Sequence, residues 1–168
     1  MNLKADVEST GASVTELESK VIEVFVNAAK VVGLPRSLGE IYGLLYISTG
    51  PMSMEQIVQK LNISIGSASQ GLKQLKSMRA VKSSYKAGER KDYYAAEVQL
   101  RKLVANLLRE EILPQLEGTR DSIQELSPLV SKYPDEEREH YQGRVDSLLR
   151  WQKYSSHLLK RLTKFILR

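Results

Sequence analysis

The sequence contains no cysteine. That absence removes disulfides, thiolate zinc sites and cysteine nucleophiles at once. Its two histidines, His140 and His157, are too few for a histidine-rich metal site. No glycine-rich phosphate loop is present, and neither histidine has the carboxylate spacing of a zinc ligand set. The carboxylate run Asp135-Glu136-Glu137 suits a solvated helix start, where acids meet the positive end of the dipole. An enzyme is therefore not expected, and no cofactor or metal is called for. No stretch approaches the roughly 20 apolar residues that cross a bilayer. Met1-Asn2-Leu3-Lys4-Ala5-Asp6 lacks the apolar run of a secretion signal, so a cytoplasmic location is the expectation.

What is present is helix-forming and unevenly charged. The 168 residues suit one compact domain, or a small domain with long helical extensions. Net charge is +5, but the excess is local. Lys60, Lys73, Lys76, Arg79, Lys82, Lys86, Arg90 and Lys91 face only Glu89 and Asp92 between Lys60 and Ala95, and the rest of the chain is slightly acidic. A concentration of this kind is the electrostatic footprint of a surface that meets polyphosphate.

Capping signals and apolar spacing divide the chain. Thr15-Glu16-Leu17-Glu18 is a capping box, and Val14, Leu17, Val21, Val24, Phe25, Ala28 and Val32 follow at helical spacing until Gly33 and Pro35 stop the helix. Ser37-Leu38-Gly39-Glu40 reads as a second box. It opens a helix that turns Ile41, Leu44, Leu45 and Tyr46 inward and ends at Gly50-Pro51. Ser53-Met54-Glu55-Gln56 opens a short third helix on Ile57, Val58 and Leu61. Ser64 caps a fourth, whose apolar stripe is Ile65, Ala68, Leu72 and Leu75. Two short helices joined by a few residues make a helix-turn-helix. Val81–Tyr85 and Asp92–Ala96 then read as strands around a glycine-containing turn. Helix, turn, helix, hairpin is the order of a winged helix.

Helical spacing resumes at Val98. Pro114 should interrupt it, and a long last helix carries Tyr141, Val145, Leu148, Trp151, Leu158, Leu159, Leu162 and Phe165. The fold class expected is mainly α with a small β-hairpin wing, a winged helix-turn-helix flanked by dimerisation helices. The organisation expected is an N-terminal helix over 1–34, a DNA-binding domain over 35–97 and C-terminal helices over 98–168, the last with any effector region. A unit of about 60 residues cannot cover the apolar faces of these further helices, and a second copy supplies the cover most economically. A homodimer is the expectation.

The presumed recognition helix, about 64–78, presents Ser64, Ser67, Ser69, Gln70, Lys73 and Gln74 away from its apolar stripe. Small hydroxyl residues let a helix end approach DNA closely and bind phosphate, and glutamine suits adenine edges. No acidic residue occurs from Ser64 through Gly88, unlike an ordinary solvated face. Lys86, Arg90 and Lys91 lie at the wing, about 81–96, where basic tips reach the minor groove. Gly66 and Gly71 cost the helix propensity, which points to close approach to DNA or to the helix behind. The competing reading is a winged-helix protein–protein adaptor without DNA contact; positive charge on helix and wing disfavours it.

Three segments, Pro35–Tyr46, Ser64–Leu72 and Gly88–Tyr94, resemble the GbsR/MarR-like transcriptional regulators, over about Val21 to Leu108. The resemblance implies a dimeric winged helix and a repressor of genes for glycine-betaine synthesis or uptake, in some members responsive to choline. It places Arg36 on backbone phosphate, Ser67, Ser69, Gln70 and Lys73 in the major groove, and Arg90 and Lys91 on the wing. A choline-like cation would need an aromatic cage, for which Tyr42, Tyr46, Tyr141, Trp151 and Tyr154 are the candidates.

Overall fold

A computed structural model describes residues 13–85, 88 and 91–167. The wing calls on Lys86 and Arg90 lie outside the described residues. The chain divides into two compact units, Met1–Gln99 and Leu100–Arg168.

The first unit is built from α1 (Glu16–Val31), α2 (Arg36–Ile47), β1 (Met52–Ser53), α3 (Met54–Leu61), α4 (Ile65–Ser77), β2 (Val81–Tyr85) and β3 (Asp92–Ala96). Its core holds Leu38, Ile41, Leu44, Ile57, Ala68, Leu72 and Leu75, all nearly inaccessible. The two hairpin strands occupy the span expected of them, in antiparallel register from Val81 opposite Ala96 to Tyr85 opposite Asp92. β1 escaped the sequence reading, since two residues carry no periodicity. It pairs Met52 with Tyr94 and Ser53 with Tyr93, giving the strand order β1-β3-β2.

Two of the three capping boxes form. Thr15 Oγ1 accepts from Glu18 N while Glu18 Oε2 accepts from Thr15 N, and Ser53 and Gln56 repeat the exchange. The box expected at Ser37 does not form. α2 instead begins after Pro35, whose fixed φ suits a helix start, and Glu40 is occupied by Arg36 at 2.7 Å. α1 ends in a Schellman arrangement. Leu34 N donates to Ala29 O and Gly33 N to Lys30 O, with Gly33 at φ +74°.

α1 does not bury the whole face its apolar spacing suggests. Phe25 and Ala29 pack inward, and α1 lies so close to α2 that a Cβ on Gly39 would sit 2.6 Å from Val26 Cα. Leu17, Val24 and Val31 remain 63, 63 and 86 % exposed. With Val21 and Ala28 they recur at alternating steps of four and three, the repeat of a coiled-coil seam.

Glu18 also ties α1 to α3 through Lys60 at 2.5 Å, with both side chains largely buried. Burial alone would raise its pKa, but the hydrogen bonds from Lys60 and Thr15 outweigh it and the carboxyl titrates below its usual value. A lowered folded-state pKa adds stability above the unfolded value of about 4.3, and that stability is lost as pH falls through the folded value. Glu18→Gln should therefore lower stability at pH 7 by about 1–2 kcal/mol. Thermal unfolding at pH 7 and pH 3 checks this, because the gap between variant and parent should close in acid.

The second unit comprises α5 (Leu100–Leu107), a π-helical turn (Leu108–Ile112), α6 (Leu113–Gln124), α7 (Ser127–Val130) and α8 (Asp135–Ile166). The π turn is the interruption expected at Pro114, which has no N–H to give and crowds the preceding turn. Ile123, Val130 and Val145 form a small core with Leu126 and Leu149. α8 meets the unit through Val145, Gln152, Ser156 and Thr163. Gln152 Nε2 donates to Leu116 O on α6 at 3.1 Å. Most of the large apolar residues of α8 lie elsewhere. Leu148, Trp151, Leu158, Leu162 and Phe165 are between 42 and 73 % exposed, and with Ser155 they step by three and four along one stripe. No helix among the described residues is long and apolar enough to cross a membrane.

Candidate nucleic-acid interface

α3 and α4 are joined by a tight turn. Asn62 closes α3 in the left-handed region at φ +51°, which asparagine tolerates, and Ser64 caps α4 by accepting from Ser67 N at 3.1 Å. Ser64 also donates to Ser67 Oγ at 2.9 Å, so the two hydroxyls form one polar corner at the helix start. Ala68, Gly71, Leu72 and Leu75 anchor α4 to the core. The two glycines part company here. A Cβ on Gly71 would meet Ile41 Cδ1 at 2.5 Å, so this glycine admits the helix behind. Gly66 faces open space, its nearest neighbour being Ser64 Oγ at 3.9 Å.

The outward face of α4 carries Ser67, Ser69, Gln70 and Lys73, all exposed, with Gln74 half-buried at its flank. Ile65 departs from the expectation. It was read as part of the apolar stripe, yet it is 65 % exposed in the first turn beside Ser64. At about 100° per residue it lies within about 20° of Leu72, so its exposure comes from its place in the first turn, one turn ahead of Ala68, where the buried contacts of α4 begin.

Ion pairing sorts the five described lysines of the basic segment. Lys60 is spent on Glu18, and Lys82 on the buried Glu97 at 3.0 Å. Lys91 lies 3.5 Å from Glu55 at the start of α3. The Ser53 hydroxyl first, and Lys91 after it, hold the Glu55 carboxyl below its ordinary pKa. Lys73 and Lys76 are exposed and have no ion-pair partner among the described residues. They line a notch of about 430 Å³ with Ser69, Leu72, Ser77 and Tyr94. Burial, followed by Asp92 and Glu55, raises the Tyr94 pKa, so its phenol remains a hydrogen-bond donor. Lys76, counted in the basic segment, and Ser77 were not among the expected DNA contacts, although Lys76 follows Lys73 by three residues. Tyr94, one of the hairpin tyrosines whose hydroxyls could reach phosphate, is turned toward α4 by the strand pairing.

Arg36 occupies the first turn of α2, exposed but bonded to Glu40. The aromatic candidates divide between the two units. Tyr42 is buried against Phe25 at 4.8 Å and its hydroxyl donates to Glu97 O at 2.6 Å; burial pushes its pKa strongly up. Tyr46 packs on the same Phe25 ring at 4.9 Å. These two rings face protein. In the second unit Tyr141 lies against Tyr133 and donates to Glu137, while Trp151 and Tyr154 are exposed on α8.

No family model matches the chain. It is 28 % identical over 95 residues to the HTH-type transcriptional repressor GbsR of Bacillus subtilis (strain 168), a stretch covering 56 % of this chain and 52 % of that protein. The chain thus spans about half the length of the curated relative it matches. The crystal structure of a transcriptional regulator superposes with a TM-score of 0.59 at 17 % identity, over 88 % of this chain and 98 % of that one. The second likeness shows the fold, a mostly helical chain with a small antiparallel sheet; the first bears out the GbsR/MarR-like resemblance read from the motifs.

Proposed function

We propose that this GbsR/MarR-like chain is a homodimeric transcriptional repressor that binds specific double-stranded DNA, with α4 in the major groove and the hairpin on the adjacent minor groove. The observation that carries the reading is the face of α4. It is free of acid, begins in a capped N-terminus with two hydroxyls, and presents Lys73 and Lys76 without ion-pair partners among the described residues. Ser64 and Ser67 are assigned to phosphate, Gln70 and Gln74 to base edges, and Lys73 to the backbone beside them. Arg36, Lys86, Arg90 and Lys91 add flanking phosphate contacts. Dimerisation is supported by the apolar seams on α1 and α8, each of which its own unit leaves in water.

The test is a salt titration of binding to a duplex from the gene's own upstream region, with random duplex as competitor. The expected result is a preference of about a hundredfold or more and a steep salt slope. The operator should hold a pseudo-palindrome with half-sites about 10 bp apart, or a multiple of that. No binding to either duplex at low salt would overturn the reading in favour of a protein adaptor.

A further inference from the structure

The second unit holds a groove of about 980 Å³ between α6 and α8. Its volume is within the range of about 300–1,000 Å³ typical of small-molecule sites. α8 contributes Arg150, Lys153, His157 and Lys160, whose spacings of three, four and three put them on one face of the helix. α6 contributes Arg120 and Glu117 from the other wall. Glu117 is the sole carboxylate of the lining, and it is occupied by Lys160 at 2.5 Å. Arg150 donates to Ser147 Oγ. Arg120 and Lys153 have no ion-pair partner among the described residues.

The rest of the lining is suited to an apolar body. Leu149 and the ring of Tyr154 border the groove, and long cationic side chains line such walls with their methylene stems. At the bottom Ser156 accepts from Gln152 Nε2 at 3.1 Å, which leaves its O–H able to donate. This face of α8 is not the apolar seam. Lys153 lies two residues from Trp151, about 200° around the helix, so a second copy seated on the seam leaves the cationic wall open, while Tyr154 borders the seam.

We propose that the groove binds an amphipathic organic anion, a carboxylate headgroup held by Arg120 and Lys153 with its apolar body over Leu149 and Tyr154. Guanidinium and ammonium groups aimed into one concave site bind a carboxylate through charge-assisted hydrogen bonds. The same charges repel a quaternary ammonium, which is the ligand class that an aromatic cage would take.

The experiment is equilibrium dialysis of the full chain against decanoate and against decyltrimethylammonium, which share an apolar tail and differ in the sign of the head. Decanoate should saturate at one molecule per chain, with the cation binding at least about tenfold more weakly. Arg120→Ala with Lys153→Ala should weaken decanoate by about tenfold or more, while Lys132→Ala, which removes an exposed cation outside both the groove and the α8 stripe, leaves it unchanged. Both cations are exposed, and an unaltered circular dichroism spectrum shows that the fold is kept. Equal or tighter binding of decyltrimethylammonium, non-saturable uptake of decanoate, or an unweakened double variant would overturn the proposal. No DNA enters the measurement, so its failure is separate from any failure of the DNA-binding reading.

Discussion

Exchanging Lys73 and Lys76 together for glutamate is expected to remove detectable binding to the operator at physiological salt, while secondary structure and thermal stability stay near those of the parent. Both side chains project from the outward face of α4 and neither supports a buried contact. The cost therefore falls on the complex. In a dimer the double exchange replaces four cations by four anions on the DNA face. Each lost phosphate contact takes about 0.9 from the slope of log K against log salt, so that slope should fall by about 3 to 4. Affinity should drop by about a hundredfold or more at moderate salt. Gln70→Ala serves as the contrasting measurement. A base-reading residue should alter the ranking of operator variants by about 1–3 kcal/mol and leave the salt slope unchanged. Electrophoretic mobility shift or fluorescence anisotropy across a salt series reads both quantities, and identical behaviour of the two changes would refute the division of roles.

The second large effect is expected from Leu158→Asp with Leu162→Asp. These residues sit one turn apart on the exposed stripe of α8, 51 and 42 % accessible in the single chain. Their charges are tolerated in a monomer, where they meet water, and are costly between two chains, where they would be buried unpaired. Analytical ultracentrifugation should show the parent as a dimer and the variant as a monomer of 19.0 kDa. Operator affinity should fall by about a hundredfold or more, since each half-site is then bound without its neighbour. A variant that remains dimeric would move the interface away from this stripe. One that turns monomeric yet keeps full operator affinity would remove the link between dimerisation and DNA binding.

Much of the first unit was legible because its signals are local. Capping at Thr15, Ser53 and Ser64 follows from a hydroxyl three residues ahead of an orphan N–H, and the hairpin follows from β-propensity around Gly88. Ser37 shows the limit of that reasoning. Its spacing to Glu40 is that of a capping box, but Arg36 captures the carboxylate and Pro35 already sets the entry to the helix. Ile65 fails for a related reason. Spacing of three from Ala68 and seven from Leu72 puts Ile65 in line with the apolar stripe, and only the packing of α4 decides that the buried contacts begin one turn later, at Ala68.

By itself the sequence determined the helix-turn-helix and hairpin order, the acid-free stretch from Ser64 to Gly88 and the concentration of positive charge, all of which depend on neighbours within a few residues. The tertiary structure alone decided which charges are left over. Lys60, Lys82 and Lys91 find carboxylates 42, 15 and 36 positions away at Glu18, Glu97 and Glu55, and Lys73 and Lys76 find none among the described residues. It also decided which apolar residues are core. Tyr42 disappears behind Phe25 and Trp151 stays in water. A helix with two apolar stripes offers both to any partner, and only the neighbour that arrives settles which one is buried.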